Sequence, residues 1–440
     1  MSFELKRSQA TTKKISLDLV QGFLNTLDGG TFKLEDAPYE VLNEGVPTNL
    51  AILLFCNEPQ TVIPGAYIEF FKYADSGTLI LEKKQITGSV LSQYHQMLEY
   101  LSHLSQPRTD AESPFDYKAM KELILNAIVH RDYQDQRPIK VELYSNAFVV
   151  SNPTSENDPA NPRLLRAIID MGLATGTGLG AKAIGEVEVD STMGFVSMRI
   201  KANESYACTE SVRNAAYLWS NAKKRQAINY LRSILSIYPH FEQVVNQIIE
   251  YSFLLGNEKI AKKVLADYTQ YTGKEKSVQP YITMARIYLG QSKIPLARKY
   301  LQHLPPFKDL NEILAVVILK KKLLEFKSAH SIFRQFAETY SEEPQFLHEY
   351  SQVKVRLALK ASPDTKSTLL KEALTLLRTA IAFGTVDTQK AWYWFDLAQV
   401  SIQMESPRKT VEDAFEAAIE LLPRESLFKR TRESWVNANR

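Results

Sequence analysis

Cysteine is scarce: Cys56 and Cys208 are the only two in 440 residues. That is too few, and too widely spaced, for a disulfide framework or a four-ligand zinc site, so reduced thiols in a cytoplasm are the expected state. No stretch reaches the roughly 20 apolar residues of a bilayer-crossing helix. The opening Met-Ser-Phe-Glu-Leu-Lys has no apolar signal-peptide core. Membrane insertion and secretion are therefore not expected. A charge excess is missing as well, because 53 Lys+Arg against 50 Asp+Glu leave only +3. Nucleic-acid and membrane-surface proteins usually carry a basic surplus or stripe. Lys320-Lys321-Lys322 and Lys429-Arg430 read as solvated helix faces. The seven histidines form no His-Glu-x-x-His pair, and neither a Gly-x-Ser-x-Gly elbow nor a Gly-x-x-x-x-Gly-Lys-Ser/Thr loop occurs. Zinc hydrolysis, serine-triad hydrolysis and P-loop chemistry are set aside.

What is present is an ordinary globular mix, 45% apolar and 23% charged, long enough for two or three domains. The first half alternates β-branched and aromatic runs with helical patterns. Strands are expected at 51–56, 66–73, 78–82, 139–144, 147–151 and 195–201, and helices at 89–104, 117–129 and 163–171. Asn161 is the candidate N-cap of the last helix, with Pro162 at its first position and Gly172 beyond its end. After about residue 208 a repeat takes over. A small residue followed four positions later by a large apolar one recurs at Ala227/Leu231, Ala261/Leu265, Ala297/Leu301, Ala329/Phe333, Ala373/Leu377 and Val411/Phe415. The steps of 34, 36, 32, 44 and 38 residues lie close to the tetratricopeptide period. Ala215 and Ala285 precede their anchors by twelve residues, where a first helix needs a small side chain. About six helix pairs are expected, stacked into a superhelix whose concave surface binds a protein partner.

The residues that point to chemistry are Glu122-Leu-Ile-Leu-Asn126-Ala-Ile-Val-His130-Arg-Asp-Tyr133 and, some fifty residues later, Thr175-Gly-Thr-Gly-Leu-Gly180. Glu122 and Asn126 fall on one helix face, opposite the core face of Met120, Leu123, Ile124, Ala127 and Ile128. The glycines open an expected helix at 181–186, whose free N–H groups and positive dipole end suit a phosphate.

This pattern resembles the Bergerat-fold (GHKL) ATP-binding module, in the divergent form that follows an AlbA/Schlafen-type domain in bacterial transcriptional regulators. The resemblance extends through Thr48 to Gln60 and Pro64 to Phe71, covering roughly residues 15 to 205. Asn152-Pro153-Thr154 stands at the family's Asn-Pro-Gly, from which Thr154 departs. The resemblance implies ATP and Mg²⁺ as cofactors. Glu122 becomes the general base, Asn126 the Mg²⁺ ligand, Asn152 the adenine reader, and Gly176, Gly178 and Gly180 the phosphate cradle, with Thr175 and Thr177 as hydroxyl donors. Lys182 could reach a terminal phosphate, but reads first as a surface lysine. His130, Arg131 and Asp132 match the family tail without an assigned role.

The fold class expected is an α/β half, a Bergerat-like sandwich preceded by a small α/β subdomain, followed by an all-α tetratricopeptide-like half. The domains are 1–110, 111–207 and 208–440. The expected protein is a cytoplasmic ATP-binding regulator, hydrolysing slowly if at all, whose repeats bind a protein partner under nucleotide control. Two alternatives stand beside it: a non-catalytic scaffold with a degenerate nucleotide pocket, and a DNA-associated regulator acting through a partner. Self-association is left open, and direct nucleic-acid binding is not expected.

Overall fold

The computed structural model describes residues 2–27, 41–74, 77, 79–105, 114–154, 161–174, 187–192, 194–271 and 276–438, without the side chains of 26, 27, 104 and 105. The described chain forms two compact units, 1–251 and 252–440.

In the first unit the helices are α1 (Leu17–Leu27), α2 (Asn49–Phe55), α3 (Val90–Ser105), α4 (Tyr117–His130) and α5 (Pro162–Asp170). The strands are β1 (Leu42–Asn43), β2 (Val46–Pro47), β3 (Ile68–Tyr73), β4 (Ile80–Ile86), β5 (Ile139–Leu143), β6 (Ala147–Pro153), β7 (Val187–Thr192) and β8 (Phe195–Lys201). β1 and β2 pair alone, while the other six form one sheet in the order β4-β3-β5-β6-β8-β7. β3 and β5 run parallel and the remaining neighbours antiparallel. The sheet thus continues across the 110/111 boundary expected from the sequence.

Register explains why one face is covered. Phe70, Val141, Val150 and Met198 lie opposite one another across β3, β5, β6 and β8, and all are buried. α4 packs against β5, β6 and β8, and α3 against β4. The other face carries Glu69, Lys140, Glu142, Ser151 and Arg199, as the period-2 alternation requires.

The expected strand at 51–56 is instead helical. Thr48 caps α2, its side chain accepting from the Ala51 N–H at 3.2 Å. Every α2 residue is buried, so the apolar run reflects burial on all sides and carries no period to separate helix from strand. β7, not expected, has the alternation Val187-Glu-Val-Asp, but its exposure leaves no apolar face to detect. Asn161 does not cap α5. Its amide donates to the carbonyls of Val129 at 2.7 Å and Arg131 at 2.8 Å. The α5 cap comes from Glu4, whose carboxylate accepts from the N–H groups of Leu164 at 2.7 Å and Arg163 at 3.2 Å.

The helices α6 (Glu204–Ser220) and α7 (Lys224–Ile237) also belong to this unit, as does most of α8 (Glu242–Leu254). The Tyr230 hydroxyl on α7 meets Ser145 Oγ in the β5–β6 turn at 2.6 Å, and Ser211 on α6 donates to the same Ser145 at 3.1 Å. These bonds hold the first helix pair to the sheet, and the compact unit runs on past residue 207.

The second unit continues with α9 (Glu258–Gln270), α10 (Gln279–Gly290), α11 (Ile294–Tyr300), α12 (Leu310–Lys322), α13 (Phe326–Phe336), α14 (Pro344–Ala358), α15 (Pro363–Phe383), α16 (Asp387–Gln403), α17 (Arg408–Leu421) and α18 (Ser426–Ala438). All six repeat anchors fall on the second helix of a pair, α7, α9, α11, α13, α15 or α17, and their small members are 0–1% exposed. The C-terminal half is therefore a tetratricopeptide-like array of helix pairs, as the spacing foretold.

A second repeat, invisible in the sequence, confirms the period. Ala222, Gly256, Ser292 and Leu324 each hold a positive φ, between 59° and 68°, in the turn inside a pair. In each case the next residue's N–H bonds a carbonyl five positions back: Lys223 to Leu218, Asn257 to Ser252, Lys293 to Tyr288 and Glu325 to Lys320. Glu405 and Ser406 repeat the arrangement. These are Schellman caps, which favour glycine, yet only Gly256 among them is one. Left-handed backbone costs an L-residue about 1–2 kcal/mol, partly offset by glycine's larger unfolded-state entropy. Ser292→Gly and Glu405→Gly should therefore each raise stability by about 0.5–1 kcal/mol, and Gly256→Ala should lower it. Chemical denaturation of the three variants checks the sign, and a loss in either glycine variant would show that its side chain has a further role.

Candidate functional site

α4 begins at Asp116, whose carboxylate accepts from the N–H groups of Lys118 at 2.9 Å and Ala119 at 3.2 Å. From there Met120, Leu123, Ile124, Ala127 and Ile128 are buried against the sheet, which leaves Lys118, Glu122, Asn126 and His130 on the least buried side. Glu122 and Asn126 are half-buried, and neither side chain has a hydrogen-bond partner among the described residues. Burial pushes the Glu122 carboxyl above the ordinary carboxylate range, with Lys118 pulling it back. Tyr94 of α3 is pushed up to about 12 by its own burial, with Glu122 and Tyr117 adding. A carboxylate so placed is a better proton acceptor than a solvated one.

Asn152 continues the apolar row of Phe148 and Val150 on β6 and lies opposite Val196 on β8. It is 2% exposed, and its amide nitrogen donates to the Pro153 carbonyl at 3.0 Å, leaving its oxygen as the acceptor. Thr154 bridges Arg131 and donates its N–H to the Gly194 carbonyl at 3.1 Å. It has no positive φ, so a Cβ is accommodated there. Thr175, Gly176, Thr177, Gly178, Gly180 and Lys182 lie outside the described residues, as does the helix expected at 181–186. Among the described residues, no group of three or more His, Cys, Asp or Glu is arranged to hold a metal.

The His-Arg-Asp-Tyr tail has a structural role that the sequence left open. Arg131 is fully buried. Its guanidinium donates to the Asp135 carbonyl at 2.8 Å and the Arg137 carbonyl at 2.6 Å, and it lies over the Tyr133 ring at 4.7 Å. Asp132 donates its N–H to the Pro153 carbonyl at 2.9 Å, and the Tyr133 hydroxyl donates to Ile128 at 3.0 Å. The tail fastens the end of α4 to the end of β6 and to the following loop.

The second unit holds a groove of about 890 Å³, lined by Ile318, Lys321 and Lys322 of α12, by Glu349, Gln352, Val355 and Arg356 of α14, and by Asp396, Gln399 and Gln403 of α16. These are the first helices of three consecutive pairs. Lys321 bridges Glu349 at 2.5 Å and Gln352 at 2.6 Å, and Gln352 and His348 both meet Asp396 at 2.8 Å. The solvated-face reading of Lys320 to Lys322 fails for two of them. Lys320 is 6% exposed and pairs with Glu325 at 3.4 Å, while Lys321 is held in the groove floor. Glu325 reaches Lys320 from the turn before α13, and repeat stacking brings Glu349 of α14 to Lys321. Lys429 and Arg430 are exposed on α18, as expected.

No protein-family model and no curated protein matches the chain. Among solved structures it is similar to the DIP2311 protein of Corynebacterium diphtheriae, at 20% identity and a TM-score of 0.37, over 63% of this chain and 61% of that one. It is also similar to YrrB, described as a TPR protein with an unusual peptide-binding site, at 12% identity and a TM-score of 0.29, over 51% of this chain and 92% of that one. A third likeness, to PilF of Pseudomonas aeruginosa, has 12% identity and a TM-score of 0.33, over 52% and 98%. This chain thus spans less than two thirds of the Corynebacterium protein. Scores this low do not establish a shared fold, and the repeat architecture rests on the helix pairs themselves. No described helix is long and apolar enough to cross a membrane.

Proposed function

We propose that the helix-pair array binds an extended segment of a partner protein in the groove of α12, α14 and α16, and that the α/β unit binds Mg-ATP and governs that binding. The observation that carries the first part is the groove itself, built from three successive first helices. The second part is supported by the Glu122/Asn126 face, where a carboxylate and an amide stand one turn apart without partners. Those oxygens suit Mg²⁺, which takes few protein ligands and keeps several waters. Bound there, it would neutralise phosphate charge. Asn126 would hold the ion, Asn152 would offer its oxygen to the adenine amino group, and Glu122 would take a proton from the attacking water.

Mg-ATP at 100 times its dissociation constant should stabilise the full chain by about 2.7 kcal/mol, visible as a thermal shift. Glu122→Gln should keep that shift while hydrolysis falls by about two orders of magnitude. Because burial raises the Glu122 carboxyl above its ordinary value, turnover should be lost on acidification at a pH above that value. A turnover unchanged in Glu122→Gln would remove the catalytic assignment. ATP must also change partner affinity by the same factor as the partner changes ATP affinity. The burial of Asn152 favours one competing reading, a scaffold with a degenerate nucleotide pocket. Absence of any shift with millimolar ATP or ADP decides for it.

A further inference from the structure

The charges lining the groove do not balance. Lys321, Lys322, Arg356 and Lys360 face only two carboxylates, Glu349 and Asp396. Both carboxylates are already engaged, Glu349 by Lys321 and Asp396 by Gln352 and His348. Lys322, Arg356 and Lys360 are exposed and have no carboxylate partner among the described residues. Beside them Leu324 is 75% and Leu359 59% exposed. Gln399 adds a buried side-chain N–H with no acceptor among the described residues.

We infer that the groove is built for an acidic segment of a partner protein, bound extended, with carboxylates alternating with apolar side chains. The inference rests on the groove reading above and names the chemistry of its partner. Alternation follows from the spacing of the groups. Gln399 and Gln403 stand one turn apart on α16, about 5–6 Å, and side chains two apart on an extended chain point the same way at about 6.5–7 Å. An extended segment can therefore set successive carboxylates against successive donors, while its other edge lies on Leu324 and Leu359. Neighbouring helix axes are about 8–10 Å apart, so six to eight residues at about 3.3 Å each cross all three helices. A nucleic acid fits less well, because an exposed pair of leucines and three amides interrupt the cations, whereas phosphate tracks are continuous and strongly basic.

The test uses the full chain and three fluorescent peptide pools that carry Glu, Gln or Lys at alternate positions, with mixed apolar residues between them. Anisotropy should show the Glu pool binding at least tenfold more tightly than the Gln pool, with the Lys pool not binding. Arg356→Glu combined with Lys360→Glu should abolish the preference, and Lys322→Gln should weaken it severalfold. Lys409→Glu on α17 should leave it unchanged. All four positions are exposed, and a matching thermal transition confirms that each variant folds. Equal binding of the Gln and Glu pools would overturn the acidic assignment and leave segment binding standing. Failure of every pool would remove both readings. A short single-stranded RNA that binds more tightly than the Glu pool, and is lost in Arg356→Glu, would replace the peptide with a nucleic acid.

Discussion

Gly65→Ala should destabilise the first unit by about 3 kcal/mol or more, toward the upper end for overpacking, although the change adds a single methyl group. A Cβ at this position would strike the Arg131 guanidinium and stand 2.8 Å from the Asp135 carbonyl oxygen and 2.8 Å from the Gln136 carbonyl carbon. Two of these obstacles are backbone, which cannot swing aside as a flexible side chain can. Moving that backbone would stretch the bonds from Arg131 to Asp135 and Arg137, leaving a buried cation short of acceptors. Gly22→Ala is the internal control. Gly22 lies within α1 with open space around it, so the same substitution there should stabilise by roughly 0.5–1 kcal/mol. Arg131→Met should recover part of the Gly65→Ala loss in the double variant, because the two groups occupy one space. Urea denaturation of the full chain gives all three numbers. A Gly65→Ala loss below about 1 kcal/mol would mean that the 135–137 loop yields, and the clamp would then not be rigid.

What could be read from the sequence divides along physical lines. The repeat half was legible because each pair needs a small residue at its helix crossing, and such residues recur whatever surrounds them. Ala227, Ala261, Ala297, Ala329 and Ala373 are all 0% exposed for this reason. The strands with one apolar face were legible too, and Phe195–Lys201 was placed to the residue. Ala51 to Cys56 was misread because burial on every side erases the period. The groove was missed because its charges come from α12, α14 and α16, some thirty to forty residues apart, and only stacking shows which are paired. Glu122 and Asn126 do share a partly exposed helix face, as their spacing required. The glycine loop read beside them lies outside the described residues, so the chemistry of the site rests on that face.

The cap on α5 is the least legible contact, because its two halves are about 160 residues apart in sequence. Glu4→Ala should cost about 2–4 kcal/mol. It strands the N–H groups of Arg163 and Leu164, at about 1–3 kcal/mol for each buried group left unpaired, and removes a carboxylate from a helix N-terminus. Leu164 is 0% exposed, so water cannot substitute. Asn161 makes no side-chain cap bond to α5, since its amide nitrogen holds the side chain on the carbonyls of Val129 and Arg131. Glu4→Gln keeps an acceptor oxygen and should lose less. Acidity separates the two further. Burial raises the Glu4 carboxyl, against the lowering effect of its two backbone bonds and of Arg163. With the folded value above the unfolded one, proton uptake by Glu4 favours the fold below the ordinary glutamate value, and that contribution is lost as pH rises through the folded value. The advantage of the native chain over Glu4→Gln should therefore shrink as pH rises across that interval. Denaturation midpoints of both proteins measured through the acidic range decide the matter. An advantage that grows with pH would mean that the two N–H bonds outweigh burial and that Glu4 serves as a charged cap.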